Sequence, residues 1–145
     1  MENCIFCRIV KGEIPAARIY EDELVFAFLD IAPINFGHVL VIPKEHHESS
    51  STIPEATAGR MFRIGSRIGI ALKRKLDYDA FNLHLADGAA AGQVVMHAHL
   101  HVVPRGVEDG FHWNWRQLNY PDGELQKTAE IISARLAEDL ANSNK

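Results

Sequence analysis

The run His97-Ala98-His99-Leu100-His101-Val102-Val103 constrains this chain more than any other stretch, because polar and apolar residues alternate in it with a period of two. Two is the period of a β-strand, in which successive side chains leave on opposite faces. The run therefore predicts His97, His99 and His101 on one face of a strand and Ala98, Leu100 and Val102 on the other. One face is a row of imidazoles and the other is core. Histidine is a modest strand former, and packing gives no reason for three of them in a row. Three imidazoles along roughly 13 Å of strand serve one of two chemistries: a metal site, or a nucleophile flanked by groups that bind and protonate a charged substrate. Alternation alone leaves both open.

The remaining segments supply a frame for that strand. Residues 18–20 and 24–29 flank the acidic turn Glu21-Asp22-Glu23 as a hairpin, and residues 38–42 form a short apolar run between Gly37 and Pro43, as a buried strand does. Residues 81–85 alternate as a half-buried strand, and a Gly- and Ala-rich loop leads from them into the strand over 94–103 that carries the histidines. Between these strands, Ala58, Met61, Phe62, Gly65, Ile68, Gly69, Leu72 and Leu76 recur at helical spacing over 54–76, and Gly65 and Gly69 would let that helix lie close to a sheet. A short helical turn over 4–11 ends at Gly12, and Leu125, Ala129, Ile132, Leu136 and Leu140 mark an amphipathic C-terminal helix. The sum is an α+β fold: a mainly antiparallel five-stranded sheet with one long helix and a C-terminal helix. With no repeat and no linker, residues 1–145 read as a single domain.

A net charge of -4 and a pI near 6.0 give no support to a nucleic-acid partner, which would need a basic stripe. Arg60, Arg63, Arg67, Lys73, Arg74 and Lys75 read as the solvated face and C-terminal end of the long helix, where cations complement its dipole. No stretch approaches the roughly 20 apolar residues that span a bilayer, so the expectation is a cytoplasmic protein without a membrane partner. In a reducing compartment the close pair Cys4 and Cys7 is a metal or redox motif rather than a structural disulfide.

Residues around the histidine run make it specific. Gly92-Gln93 precedes it, Pro104-Arg105 ends it, and Gly37-His38-Val39-Leu40-Val41-Ile42-Pro43-Lys44-Glu45-His46 supplies two further histidines. From Cys4 to about Arg105 the chain resembles the histidine triad (HIT) family, in its bacterial-type branch, whose signature is His-x-His-x-His-x-x with apolar residues at x. The resemblance implies that His99 attacks the α-phosphorus of a nucleoside phosphate derivative, forms a nucleotidyl-histidine and is released by water. Imidazole suits that task near pH 7, and a covalent intermediate divides one difficult displacement into two. By the same resemblance the backbone carbonyl of His97 holds the other nitrogen of His99, His101 serves the phosphate and the leaving atom, and Gln93 orients phosphate oxygens. Asp30 would accept from ribose hydroxyls, and Phe6, Ile9, Phe28 and Ile31 would line a base pocket. His38 is either a satisfied structural histidine or a residue that orients the triad.

The family resemblance also completes the cysteine pair. It implies a structural zinc site of Cys4, Cys7, His46 and His97, with His47 as the alternative to His46, and no metal requirement for catalysis; two buried free thiols are the other reading. It favours a homodimer and a purine nucleotide as ligand. Where many relatives carry Asn-Asn-Gly or Asn-x-Gly before the Gly-Gln pair, this chain has Ala86-Asp87-Gly88, which removes an amide from the substrate loop. The expected function is hydrolysis of purine nucleoside phosphoramidates of the AMP type. Dinucleoside polyphosphate hydrolysis, a metal-dependent hydrolase ligated by His97, His99 and His101, and a zinc-stabilised nucleotide-binding module with weak catalysis are the alternatives.

Overall fold

The computed structural model describes residues 3–113 and 117–143, which fall into two compact units, Met1–Phe111 and His112–Lys145. In the first, α1 (Ile5–Val10) precedes the strands β1 (Arg18–Glu21), β2 (Val25–Leu29) and β3 (Val39–Pro43). Helix α2 (Glu55–Lys75) then leads to β4 (Ala80–Leu85) and β5 (Leu100–Arg105). The five strands form one antiparallel sheet in the order β1-β2-β3-β5-β4. The second unit contains α3 (Glu124–Ser143), on which Leu125, Ile132, Leu136 and Leu140 are exposed. Trp113 is described and exposed, whereas Trp115 lies outside the described residues. None of the described helices is long and apolar enough to cross a membrane.

Alternation along the strands divides the sheet into two packed faces. Val25, Ala27, Val39, Val41, Ala98, Leu100 and Val102 meet Met61, Ile64 and Leu72 of α2 on one face. Phe26, Phe28, Leu40 and Ile42 meet Phe6 and Ile9 of α1 on the other. The buried stripe of α2 runs through Thr57, Met61, Ile64, Gly65, Gly69 and Leu72; Phe62, expected on it, is exposed, and Ile64 takes the inward place. Gly65 and Gly69 allow the close approach. A Cβ on Gly65 would sit 2.9 Å from Leu100 Cδ2 and 3.3 Å from Leu83 Cδ2, and one on Gly69 would run into the Phe81 ring.

The histidine strand is shorter than its sequence pattern. β5 begins at Leu100, and residues 94–99 approach it as irregular chain that bends at 95–97. Local bonds compete with the sheet there: the His97 N–H donates to the Val95 carbonyl (2.8 Å) and the Ala98 N–H to the His47 carbonyl (2.6 Å). The alternation of faces nevertheless persists through them, with Ala98 in the α2-side core.

These contacts distinguish two glycines of α2. Overpacking costs about 1–3 kcal/mol, so Gly69→Leu should destabilise by that order. Gly59, where an added Cβ would meet nothing within 4 Å, should accept alanine and gain about 0.5–1 kcal/mol from helix propensity. Urea unfolding of the two variants checks both signs.

Candidate active site

On the α1 side of the sheet, register sets Phe28 beside Leu40, Leu40 beside His101, and His101 beside His84. This row crosses the sheet from β2 to β4. Beside it lies a cavity of about 550 Å³, lined by α1 (Ile5, Phe6, Ile9), the end of β2 and the following turn (Phe28, Asp30, Ile31), Gly92, Val94, Val95, His99 and His101. Among the described residues, no lysine or arginine lines it. Its size falls within the roughly 300–1,000 Å³ of small-molecule sites.

The tautomers of the histidines follow from their fixed partners, because a carbonyl only accepts and a backbone N–H only donates. His99, 6% exposed, lies with Nδ1 2.7 Å from the His97 carbonyl, so Nδ1 carries the proton and Nε2 keeps its lone pair. His38 Nδ1 accepts from the Ile34 N–H (3.3 Å), so His38 Nε2–H donates to His101 Nδ1 (2.9 Å), and the remaining ring donor of His101 is Nε2–H. His38 is thereby a member of the site. The rings of His99 and His101 stand 4.8 Å apart between centroids at 65°.

Burial disfavours the charged forms. It pushes His101 down to about 4, helped by its neighbours His99, His38 and His84, against the opposing pull of Asp30. It lowers His38 as well, again against Asp30, whose Oδ2 lies 3.7 Å from His38 Nδ1. Asp30 Oδ1 accepts from the Ala32 N–H (2.8 Å), which fixes the carboxylate at the cavity edge. Phe6 packs edge-on against Phe28, His97 and His99, with centroid separations of 5.5, 5.8 and 5.4 Å. Ile9 and Phe28 are buried at the cavity wall, and Ile31 stands 99% exposed at its rim.

Two polar residues hold the loop before the triad. Gln93, expected to face phosphate, is 4% exposed and does not line the cavity. Its Oε1 accepts from the Gly88 N–H (2.7 Å), and its Nε2 donates to the carbonyls of Glu48 (2.7 Å) and Val95 (3.1 Å). The amide is spent on holding the loop. Asp87 turns to the 3-10 turn Ser50–Thr52, where its Oδ2 accepts from the Ser50 N–H (2.9 Å) and from the hydroxyls of Ser49 and Ser50. These bonds lower its pKa, so the carboxylate is an anchor of the loop.

Sequence reasoning missed His84. It lies on β4 opposite His101, with ring centroids 5.9 Å apart. The Asn82-Leu83-His84 alternation marks its face, but only the β4–β5 register brings that face beside the triad.

Behind the cavity, Cys4, Cys7, His46 and His97 place four ligand atoms within 4.8 Å of one another. His97 Nδ1 lies 3.5 Å from Cys4 Sγ, 3.6 Å from Cys7 Sγ and 3.3 Å from His46 Nδ1, and Cys7 Sγ lies 3.3 Å from His46 Nδ1. Zinc–sulfur bonds of about 2.3 Å and zinc–nitrogen bonds of about 2.0–2.1 Å make a tetrahedron with sulfur–nitrogen edges of roughly 3.5 Å and nitrogen–nitrogen edges of roughly 3.3 Å. The donor set and its spacing fit zinc. His97 Nε2–H donates to the Pro43 carbonyl (2.9 Å), which turns Nδ1 toward the cluster as a lone pair. His47 stands outside the four-ligand group, so His46 takes the histidine position.

An antiparallel sheet bearing a row of histidines beside an apolar cavity places the chain in the histidine triad class. The HIT domain model matches residues 11–107, and the chain belongs to the HIT domain family. It is 41% identical to the protein hit of Bacillus subtilis over 94% of this chain and 96% of that one. With the adenylylsulfatase HINT3 of Arabidopsis thaliana it shares 38% identity over 90% of this chain and 66% of that protein. Among solved structures, a HIT family protein from Bacillus anthracis superposes with a TM-score of 0.86 at 39% identity, covering 92% of this chain and 97% of its own. A histidine triad nucleotide-binding protein from Candida albicans gives 0.84 at 32% identity, covering 94% and 99%. A zinc-bound histidine triad family protein from Mycobacterium smegmatis gives 0.72 at 40% identity, covering 99% of both chains.

A folded-state value near 4 for His101 against about 6.5 in the unfolded chain means that the unfolded state binds more protons between these values. Stability is therefore retained above about pH 6.5 and falls as pH drops toward 4. At pH 5 this one residue should cost about 2 kcal/mol relative to pH 7. Urea midpoints at the two pH values should differ less in His101→Gln than in the wild type.

Proposed function

We propose that the chain is a nucleotidyl hydrolase acting on purine nucleoside phosphoramidates through a covalent intermediate on His99. The observation that carries this reading is the bond from His99 Nδ1–H to the His97 carbonyl, which leaves Nε2 as a lone pair in a site lined by His101. In the first half, His99 Nε2 forms a bond to the α-phosphorus while the phosphorus–nitrogen bond to the leaving group breaks. The electron pair departs with that nitrogen, which takes the His101 Nε2 proton while a proton from solvent replaces it on the ring. In the second half, water adds to phosphorus, the bond to His99 breaks with its pair returning to Nε2, and the surplus proton leaves by His101. One proton is taken up and one is returned, and such positioned transfer is worth about 10²- to 10⁴-fold.

In this reading Asp30 accepts from ribose hydroxyls, and Phe6, Ile9, Phe28 and Ile31 enclose a purine. His38 sets the tautomer of His101. Gln93 and Asp87 act at one remove by holding the 88–93 loop, whose Gly92 reaches the cavity. The adenylylsulfatase relative supports a single activated phosphorus as the target. The described lining residues, which include no lysine or arginine, speak in the same direction, since a polyphosphate chain calls for cations or backbone donors. Dinucleoside polyphosphates are accordingly the less favoured substrates. Cys4, Cys7, His46 and His97 would hold a structural zinc ion, which supplies a closed four-ligand staple and leaves His99 and His101 free.

Incubation with adenosine phosphoramidate should give AMP and ammonia, and His99→Ala should lose at least 10³-fold in kcat/KM. Brief reaction and acid-free mass spectrometry should find a nucleotide on His99. Turnover unchanged in His99→Ala would remove the nucleophile from this scheme. Activity lost entirely on chelation, in protein that stays folded, would favour the catalytic-metal alternative instead.

A homodimer belongs to the same proposal. β4 is the last strand of the sheet and has an unpaired edge among the described residues, and such edges are templates for pairing. Sedimentation equilibrium should return twice the 16.2 kDa chain mass.

A further inference from the structure

One short helix serves two sites. α1 contributes Cys7 to the four-ligand cluster and presents Ile5, Phe6 and Ile9 to the cavity. It has six residues, its N-cap Cys4 makes no side-chain cap bond, and no acidic residue stands in its first turn. Isolated helices shorter than about 12–15 residues are marginal in water, so α1 depends on what it is fastened to. Two fastenings exist. Phe6 and Ile9 pack with Phe26, Phe28, Leu40 and Ile42 under the cavity, and Cys4 and Cys7 meet His46 and His97 behind it.

His97 joins the same two sites from the sheet side. Its ring Nδ1 lies in the cluster while its carbonyl, 2.7 Å from His99 Nδ1, holds the nucleophile. The Phe6 ring completes the connection, edge-on to both His97 and His99. With a cation in place, coordination bonds tie α1 to His97. Without one, only weak thiol and imidazole contacts do so, and a bound nucleotide must itself order the wall it packs against, which lowers its affinity.

We infer that the cluster and the cavity are thermodynamically coupled: a divalent cation held by Cys4, Cys7, His46 and His97 tightens the binding of a nucleoside monophosphate, and the nucleotide tightens the cation by the same factor. The inference rests on the proposed function in taking the cavity as the nucleotide's place. Reciprocity is a thermodynamic requirement, and such couplings commonly amount to about 5- to 150-fold. Because zinc here shapes the wall and touches no reacting atom, it should act on Kd and KM more than on kcat.

The test uses AMP and zinc as probes on the full chain. Calorimetry should show AMP binding at least fivefold weaker in metal-stripped than in zinc-loaded protein, with circular dichroism monitoring the fold of each. Competition with a chromophoric chelator should show zinc held tighter by the same factor when AMP is saturating. Phe6→Ala should bring the coupling factor, read as the ratio of AMP affinities with and without zinc, toward one. Equal AMP affinity in folded loaded and stripped protein overturns the inference and leaves the proposed function standing. If stripping unfolds the chain, the zinc competition decides alone, and zinc affinity indifferent to AMP overturns the inference. Failure to bind zinc also overturns it, and failure of the loaded protein to bind AMP overturns both readings.

Discussion

The hydrogen bond from His99 Nδ1–H to the His97 carbonyl is the contact on which the site depends. An imidazole has two nitrogens, and only one that is unprotonated and aimed into the cavity can act as a nucleophile. A backbone carbonyl decides the matter because it accepts under all conditions and cannot rotate away. That carbonyl belongs to a residue which is itself 0% exposed, fixed at Nε2 by the Pro43 carbonyl and at Nδ1 by the Cys/His cluster. The orientation of His99 is thus inherited from bonds on the far side of His97. A similar chain reaches His101, where the Ile34 N–H fixes His38 and His38 in turn fixes the proton of His101.

Backbone placement of this accuracy needs a stiff sheet. α2 provides it by lying so close that a Cβ on Gly65 would crowd Leu100, Leu83 and Val102, which puts the helix against β4 and β5 directly behind the histidines. The opposite face could not be closed in the same way, since a long helix there would fill the space a ligand needs. A six-residue helix and the turn after β2 cover it only partly, and the cavity is what they leave open.

Much of this was legible in the chain. Period-two alternation through His97–Val103 gave the faces of the histidines, and helical spacing with Gly65 and Gly69 gave the close-packed α2. The ligand positions of Cys4, Cys7, His46 and His97 came with the family likeness and meet in space. Less legible were features set by pairing partners distant in sequence. His84 joins the site through the β4–β5 register, which no local pattern encodes. Gln93 stands where the family likeness implies a phosphate contact, and Asp87 in the loop where many relatives carry an amide. Each instead satisfies backbone or hydroxyl donors and acceptors of the 48–51 segment, nearly 40 residues or more away in sequence. The late start of the strand at Leu100 has the same origin, because the Ala98 N–H goes to His47 rather than to a neighbouring strand.

The electrostatics of the cavity follow from that packing. Burial holds His38 and His101 below their usual values, so the described lining offers hydrogen-bond donors rather than fixed cations. Asp30 is the one carboxylate in the lining among the described residues, and its Oδ1 is already engaged by the Ala32 N–H. A substrate with several negative charges would surrender much hydration here for little return, since burying unpaired charge is expensive. One anionic phosphorus, reached by two imidazoles and carried on an apolar base, suits the walls and the charge together. That match between an apolar cavity and a singly charged reacting centre is why we favour the phosphoramidate reading over the polyphosphate one.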